Sequence, residues 1–219
     1  YISWQPSDDR LLDLGRVNVR SGVATGYNPT DFFRAGAVRS VVSGDPGSLK
    51  KNRLGSVMLR GQALWNSGSL TALASPKMAD LPSDTAFSPD YGATNNQNRW
   101  LLALSQKLSE SITPQWLLYG QDQQAAQLGL NLTALLGDAT VSYLEWSGGN
   151  SRSQLSQALQ TADDTQFHQR AAAGATYTTG NKLSLTLEYA YNDAALNSAQ
   201  WEALQSGSPL AYGRYRLWT

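Results

Sequence analysis

Residues 182–192 alternate strictly: Leu183, Leu185, Leu187, Tyr189 and Tyr191 on one parity, Lys182, Ser184, Thr186, Glu188, Ala190 and Asn192 on the other. Segment 126–136 repeats this, with Leu128, Leu130, Leu132, Ala134 and Leu136 against Gly129, Asn131 and Thr133. Segment 98–109 sets Trp100, Leu102, Leu104 and Leu108 against Arg99, Ala103, Ser105 and Lys107. A period of two belongs to a β-strand with one face toward an apolar medium and one toward a polar medium. Such segments predict eleven strands: 1–6, 11–21, 54–66, 69–78, 98–109, 115–121, 126–136, 139–147, 167–179, 182–192 and 212–219.

The connections alternate too. Those after the odd-numbered strands are tight, as in Ser67-Gly68, Gly137-Asp138 and Gly180-Asn181, dipeptides in which glycine accepts a positive φ. Those after the second, fourth, eighth and tenth strands are long, at 22–53, 79–97, 148–166 and 193–211; only 122–125 is short among them. Long loops therefore gather at one end of the strands and tight turns at the other. That layout predicts an all-β fold of one domain over 1–219: a transmembrane, antiparallel, up-and-down β-barrel with extracellular loops and periplasmic turns. Eleven strands is an odd number, so closure calls for further strands, from a longer chain, a second copy or a partner chain.

Aromatic positions add a second line of inference. Trp4, Trp65, Trp116 and Tyr177 fall near the turn end; Trp100, Tyr143, Trp146, Tyr189 and Tyr191 fall near the loop end. Trp and Tyr favour the headgroup layer of a bilayer, so two such bands predict membrane-interface girdles. The competing expectation is a soluble carbohydrate-binding sandwich, which would bury the Leu face of 126–136 against a second sheet.

Composition sharpens this. Charged residues are only 16% of the chain, against about 25% in ordinary soluble domains. Seventeen basic residues balance seventeen acidic ones, so no overall positive field is present to hold nucleic acid. Cysteine is absent and histidine occurs once, which removes thiolate chemistry and leaves no basis for a metal or cofactor.

The stretch 14–34, LGRVNVRSGVATGYNPTDFFR, places Gly-Arg on a strand, then a glycine-rich turn, then Asn28-Pro29-Thr30-Asp31. This passage resembles strand-to-loop segments of Gram-negative outer-membrane porin and exporter families, alginate-export porins among them. Leu187–Asn192 followed by Asp193 is similar to strand exits in the same families. The resemblance implies a bacterial outer-membrane location, a channel or exporter role without catalysis, and lipids and lipopolysaccharide as surroundings.

Positive charge concentrates at the start. Residues 1–60 hold nine basic residues against five acids, an excess of four. Arg16, Arg20, Arg34, Arg39, Lys50, Lys51, Arg53 and Arg60 are the candidates for a pore constriction that favours small anionic solutes, with loop 22–53 folded into the lumen. Val17 and Val19 are expected to face lipid, with Arg16 and Arg20 facing the lumen. The alternative is that these bases hold lipopolysaccharide phosphates, or pair with Asp13 and Asp31 to brace the loop. Asn28–Asp31 itself reads as a turn. A further alternative is a structural or interaction barrel, or an exopolysaccharide export component, whose loops bind a partner; an occupied rather than an open lumen distinguishes it. His168 has no evident catalytic partner, and no serine is singled out as a nucleophile, so no enzyme is expected. Short loop helices are expected around Thr161–Asp164 and at Ser198–Gln205.

Overall fold

A computed structural model describes residues 1–37, 53–83, 85, 87–161 and 163–218. Ten strands form one antiparallel sheet in strict sequence order. They are β1 (Ile2–Ser7), β2 (Arg10–Val17), β3 (Ser56–Trp65), β4 (Gly68–Ser75), β5 (Arg99–Gln106), β6 (Ile112–Gln121), β7 (Gln127–Leu136), β8 (Thr140–Ser151), β9 (Gln166–Thr178) and β10 (Ser184–Asn192). The sheet does not close on itself: β1 and β10 are its two edges. All ten lie where the alternation places a strand. The long connections share one end and the tight turns the other.

The eleventh expected strand, 212–219, is helical instead. Among the described residues, four helices decorate the loop end: α1 (Tyr91–Thr94), α2 (Gln154–Leu159), α3 (Ser198–Gln205) and α4 (Pro209–Trp218). Pro209 stands at the first position of α4, where a missing N–H costs nothing, and the Ser208 hydroxyl accepts from the Ala211 N–H at 3.3 Å. Ala211 and Tyr215, one turn apart, are buried with Ala158 of α2 and Leu204 of α3, and Trp201 meets the Tyr215 ring edge-on at 5.1 Å. That burial is available only to a helix. α3 forms as expected, and Asn197 and Gln200 complete a reciprocal capping box. On the preceding loop the helix forms at 154–159, upstream of Thr161–Asp164. No helix among the described residues is long and apolar enough to cross a membrane, which says nothing about strands.

The sheet must curl. Laid flat, β2 and β10 would stand eight strand spacings apart, about 38 Å. Yet Thr25, eight residues beyond the end of β2 at Val17, donates its N–H to Glu188 in mid-β10. Eight extended residues reach at most about 29 Å, and a glutamate side chain rises out of the sheet rather than along it. Segment 18–37 is therefore a chord across a concave inner face.

The two faces differ. The outer face is apolar from β4 to β10: one row of register partners runs Leu70, Leu104, Trp116, Leu130, Trp146, Ala171 and Tyr191, and continues through Ala63 of β3 to Arg10 of β2. These side chains lack a second layer; Leu128 is 54% exposed and Leu187 81%. No second sheet packs on them among the described residues, so the sandwich arrangement is not formed. The inner face carries an apolar patch of Val17, Met58, Leu73, Leu101, Leu117 and Tyr119 toward the loop end. Toward the turn end it carries polar pairs such as Gln62 with Thr71, Gln115 with Ser105, and Thr176 with Thr186.

Candidate functional site: a tethered plug and the cavity beside it

Two glutamates on the inner face bind the chord. Alternation puts Glu145 of β8 and Glu188 of β10 on the concave side, and the plug residues turn their backbone N–H groups toward them. Glu145 is fully buried. One of its oxygens accepts from the N–H of Val23 (3.0 Å), the N–H of Ala24 (3.1 Å) and Asn28 Nδ2 (3.2 Å). The other accepts from the N–H (2.9 Å) and hydroxyl (2.8 Å) of Thr30. A buried carboxylate is tolerated when its lone pairs are all used, and here five donors use them. Glu188 accepts from the N–H groups of Thr25 (2.7 Å), Gly26 (3.0 Å) and Tyr27 (3.1 Å), and from the Tyr143 hydroxyl (2.6 Å).

Two glycines make room for this. Gly22 has φ +104°, and a Cβ there would sit 2.7 Å from the Glu145 carboxylate. Gly174, beside Tyr143 in the register, leaves space for the phenol; a Cβ would lie 2.5 Å from its oxygen.

Asn28-Pro29-Thr30-Asp31 forms the turn expected of it, the Asp31 N–H donating to the Asn28 carbonyl at 3.2 Å. It delivers Thr30 to Asn131 (2.8 Å) and Phe32 onto Tyr119, ring on ring at 4.6 Å and nearly parallel. Phe33 meets the same tyrosine edge-on and lies under the Arg99 guanidinium. Asp31 pairs with Arg53 at 2.5 Å, both buried. Burial pushes the Asp31 carboxyl up against the pull of Arg53.

The eight basic candidates separate into different environments. Arg53 and Arg60 are neutralised by Asp31 and Asp13, Arg60 donating twice to one Asp13 oxygen. These are the bracing pairs weighed as the alternative. Arg16 is placed opposite to expectation. It shares the outer parity with Leu12 and Leu14, lies over the Tyr91 ring at 5.4 Å and donates to the carbonyls of Gly55 (2.9 Å) and Pro89 (2.5 Å). Val17 and Val19 pack inward, because Phe32 and Phe33 bring an apolar partner to that side. Arg20 is exposed beyond β2. Arg34 is exposed at the lip of a cavity. Arg39, Lys50 and Lys51 lie outside the described residues.

Of the aromatic candidates, Trp4, Trp65, Trp100, Trp116, Trp146, Tyr189 and Tyr191 stand on the outer face; Trp65 and Trp100 lie at strand ends, whereas Trp116 and Trp146 lie in mid-strand, each opposite Leu130 in the register. Tyr143 does not face outward. Its parity is that of Glu145 rather than Trp146, so it is buried on the inner face and serves Glu188. His168 gains a partner the sequence does not announce, Asp193 at 3.3 Å. Its Nε2 meets no hydrogen-bond partner among the described residues.

Between the plug, the loop-end halves of β6–β10 and α2 lies a cavity of about 440 Å³. Glutamines and asparagines dominate its wall, together with Arg34, Arg170 and the exposed edge of the Phe32–Tyr119 stack. No known family model, curated protein or solved structure matches the chain.

Proposed function

We propose that this chain forms the wall of a bacterial outer-membrane β-barrel channel for small, anionic solutes, with segment 18–37 as an inward constriction. The outer face is the observation that carries this. Seven adjacent strands, β4–β10, present mainly Leu, Ala, Trp and Tyr outward with nothing among the described residues packed on them, where a soluble monomer normally exposes at most a few hundred Å² of apolar surface in one patch. A bilayer satisfies that surface, and Trp65 at the turn end of β3 and Trp100 at the loop end of β5 suit its two interfaces.

Register supports the same proposal. The row that lies near the turn end of β4 at Leu70 finishes near the loop end of β10 at Tyr191. That stagger is the shear of strands tilted around a barrel. Edges β1 and β10 are then met by further strands, since unpaired ladder groups are costly in hydrocarbon. The polar inner residues line the water-filled side, and passage runs beside the plug.

The occupied inner face favours a second function, a structural or interaction barrel whose helical cap of α2, α3 and α4 receives a partner. Planar-bilayer recordings of the full-length protein separate the two. A channel gives conductance steps with anions preferred, and the steps enlarge when Glu145→Ala and Glu188→Ala release the plug. Silence from both wild type and the released variant overturns the channel and supports the interaction barrel.

A further inference from the structure

We infer that the cavity beside the plug is a binding site for a small polyhydroxylated carboxylate. This deepens the channel proposal by naming a solute class, and it rests on that proposal for its role. The volume, about 440 Å³, lies within the roughly 300–1,000 Å³ usual for small-molecule sites.

Charge selects an anion. Arg34 and Arg170 both line the cavity, and neither forms an ion pair among the described residues. A guanidinium stays charged at any working pH. Asp31 is the one carboxylate in the described lining, and Arg53 already holds it through both terminal nitrogens. Burial pushes the titration of the Tyr27 hydroxyl up; Arg170 and Arg34 pull it back, while Glu145 and Asp193, carboxylates outside the lining that already accept hydrogen bonds, push the same way as burial. A ligand carboxylate placed there meets two uncommitted cations and no uncommitted lining anion.

Amides select hydroxyls. Gln154, the first residue of α2, is 7% exposed and lines the cavity, yet its Oε1 has no hydrogen-bond partner among the described residues. A buried carbonyl in that state calls for a donor, and a carboxylate cannot supply one whereas a hydroxyl can. Gln124 and Gln127 face the same space with side-chain amides engaged by no other described side chain. Each amide both donates and accepts, which matches the alternating demands of neighbouring hydroxyl groups. The Phe32–Tyr119 stack adds a flat apolar edge for the C–H side of such a chain. Two cations, several two-way amides and one orphan acceptor together describe a carboxylate that carries hydroxyls.

Isothermal titration of the full-length protein folded in detergent tests this with three six-carbon probes. Gluconate has both features, sorbitol lacks the charge and hexanoate lacks the hydroxyls. Gluconate is expected to bind with at least tenfold lower Kd than either of the others. Arg34→Gln together with Arg170→Gln should weaken gluconate at least tenfold, with folding checked by circular dichroism. Arg34→Gln alone, at an exposed loop position, should weaken it at least threefold and serves if the double variant does not fold. Equal binding of the three probes, or indifference to Arg34→Gln, overturns the site. Conductance without gluconate preference removes this inference and leaves the channel; gluconate binding by a protein that never conducts keeps the site and removes the channel.

Discussion

Glu145 and Thr30, 115 residues apart, are joined twice through a single carboxylate oxygen, which accepts the Thr30 N–H at 2.9 Å and its hydroxyl at 2.8 Å. With three further donors from Val23, Ala24 and Asn28 on the other oxygen, Glu145 fixes the plug more firmly than apolar packing alone would. Hydrogen bonds to a charged group are worth about 1.5–3 kcal/mol each, and orphaning several buried N–H groups removes more than one of them. Glu145→Ala should therefore free segment 22–31 while the sheet persists. Hydrogen–deuterium exchange reads this directly. Protection of the Val23, Ala24 and Thr30 amides should fall at least about thirtyfold, or about 2 kcal/mol, with β5–β7 unchanged. Unchanged protection would mean that the plug is held elsewhere.

The pair Asp31–Arg53 makes a second prediction with a different signature. Both side chains are buried, so truncating one leaves the other charged and unmet, at a cost of about 3–5 kcal/mol. Arg53→Met should expose the plug to proteolytic nicking between residues 18 and 37. Adding Asp31→Asn to that variant should recover much of the loss, because the uncompensated charge is then gone. A double variant as labile as the single one would show that the pair does not act as a unit.

Legibility in the sequence follows the physics of each feature. The ten strands were readable because a sheet with one apolar and one polar face imposes period two on every strand. Phase was harder than period. Val17 and Arg16 alternate whichever faces inward, and the decision comes from Phe32 and Phe33 folding back to meet Val17. Tyr143 was misplaced for a simpler reason: it and Trp146 are three residues apart and so have opposite parity. Segment 209–218 carries enough aromatic and apolar residues to imitate a strand, yet Ser208-Pro209 is a helix start, and Ala211 and Tyr215 are spaced for one helical face. The tethers were not legible. Glu188 reads as a polar-face residue, but its partners lie 161–163 positions away as backbone N–H groups that no side-chain pattern encodes. The cavity likewise depends on a helix, a plug and five strand ends brought together by the fold.

Acid should loosen the α2 wall of the cavity. The Asp164 carboxyl is pushed up by partial burial, but hydrogen bonds from Ser153 and Ser156 outweigh this and hold it below its ordinary 3.8. Its contact with the Ser153 N–H, 3.1 Å, secures the residue that caps α2. A depressed carboxyl stabilises the fold above its ordinary value and loses that contribution as pH falls through the lowered one. Amide protection factors in α2 should be level from pH 7 to 5 and decline below pH 3.8. Asp164→Asn should show the lowered protection already at pH 6. A flat acid profile would contradict the assigned tether.

The central claim is that the outer face meets lipid, and a nitroxide scan of β10 in reconstituted vesicles measures it position by position. Single labels at 184 through 191 of the full-length protein report collision with oxygen, which concentrates in hydrocarbon, and with a water-soluble nickel complex. Labels replacing Leu185 and Leu187 should favour oxygen, and those replacing Thr186 and Ala190 should not, giving a period-two oscillation of oxygen over nickel. Nickel collisions that dominate at 185 and 187, the two leucines with 58% and 81% of their surface open, would place that face in water and contradict the account.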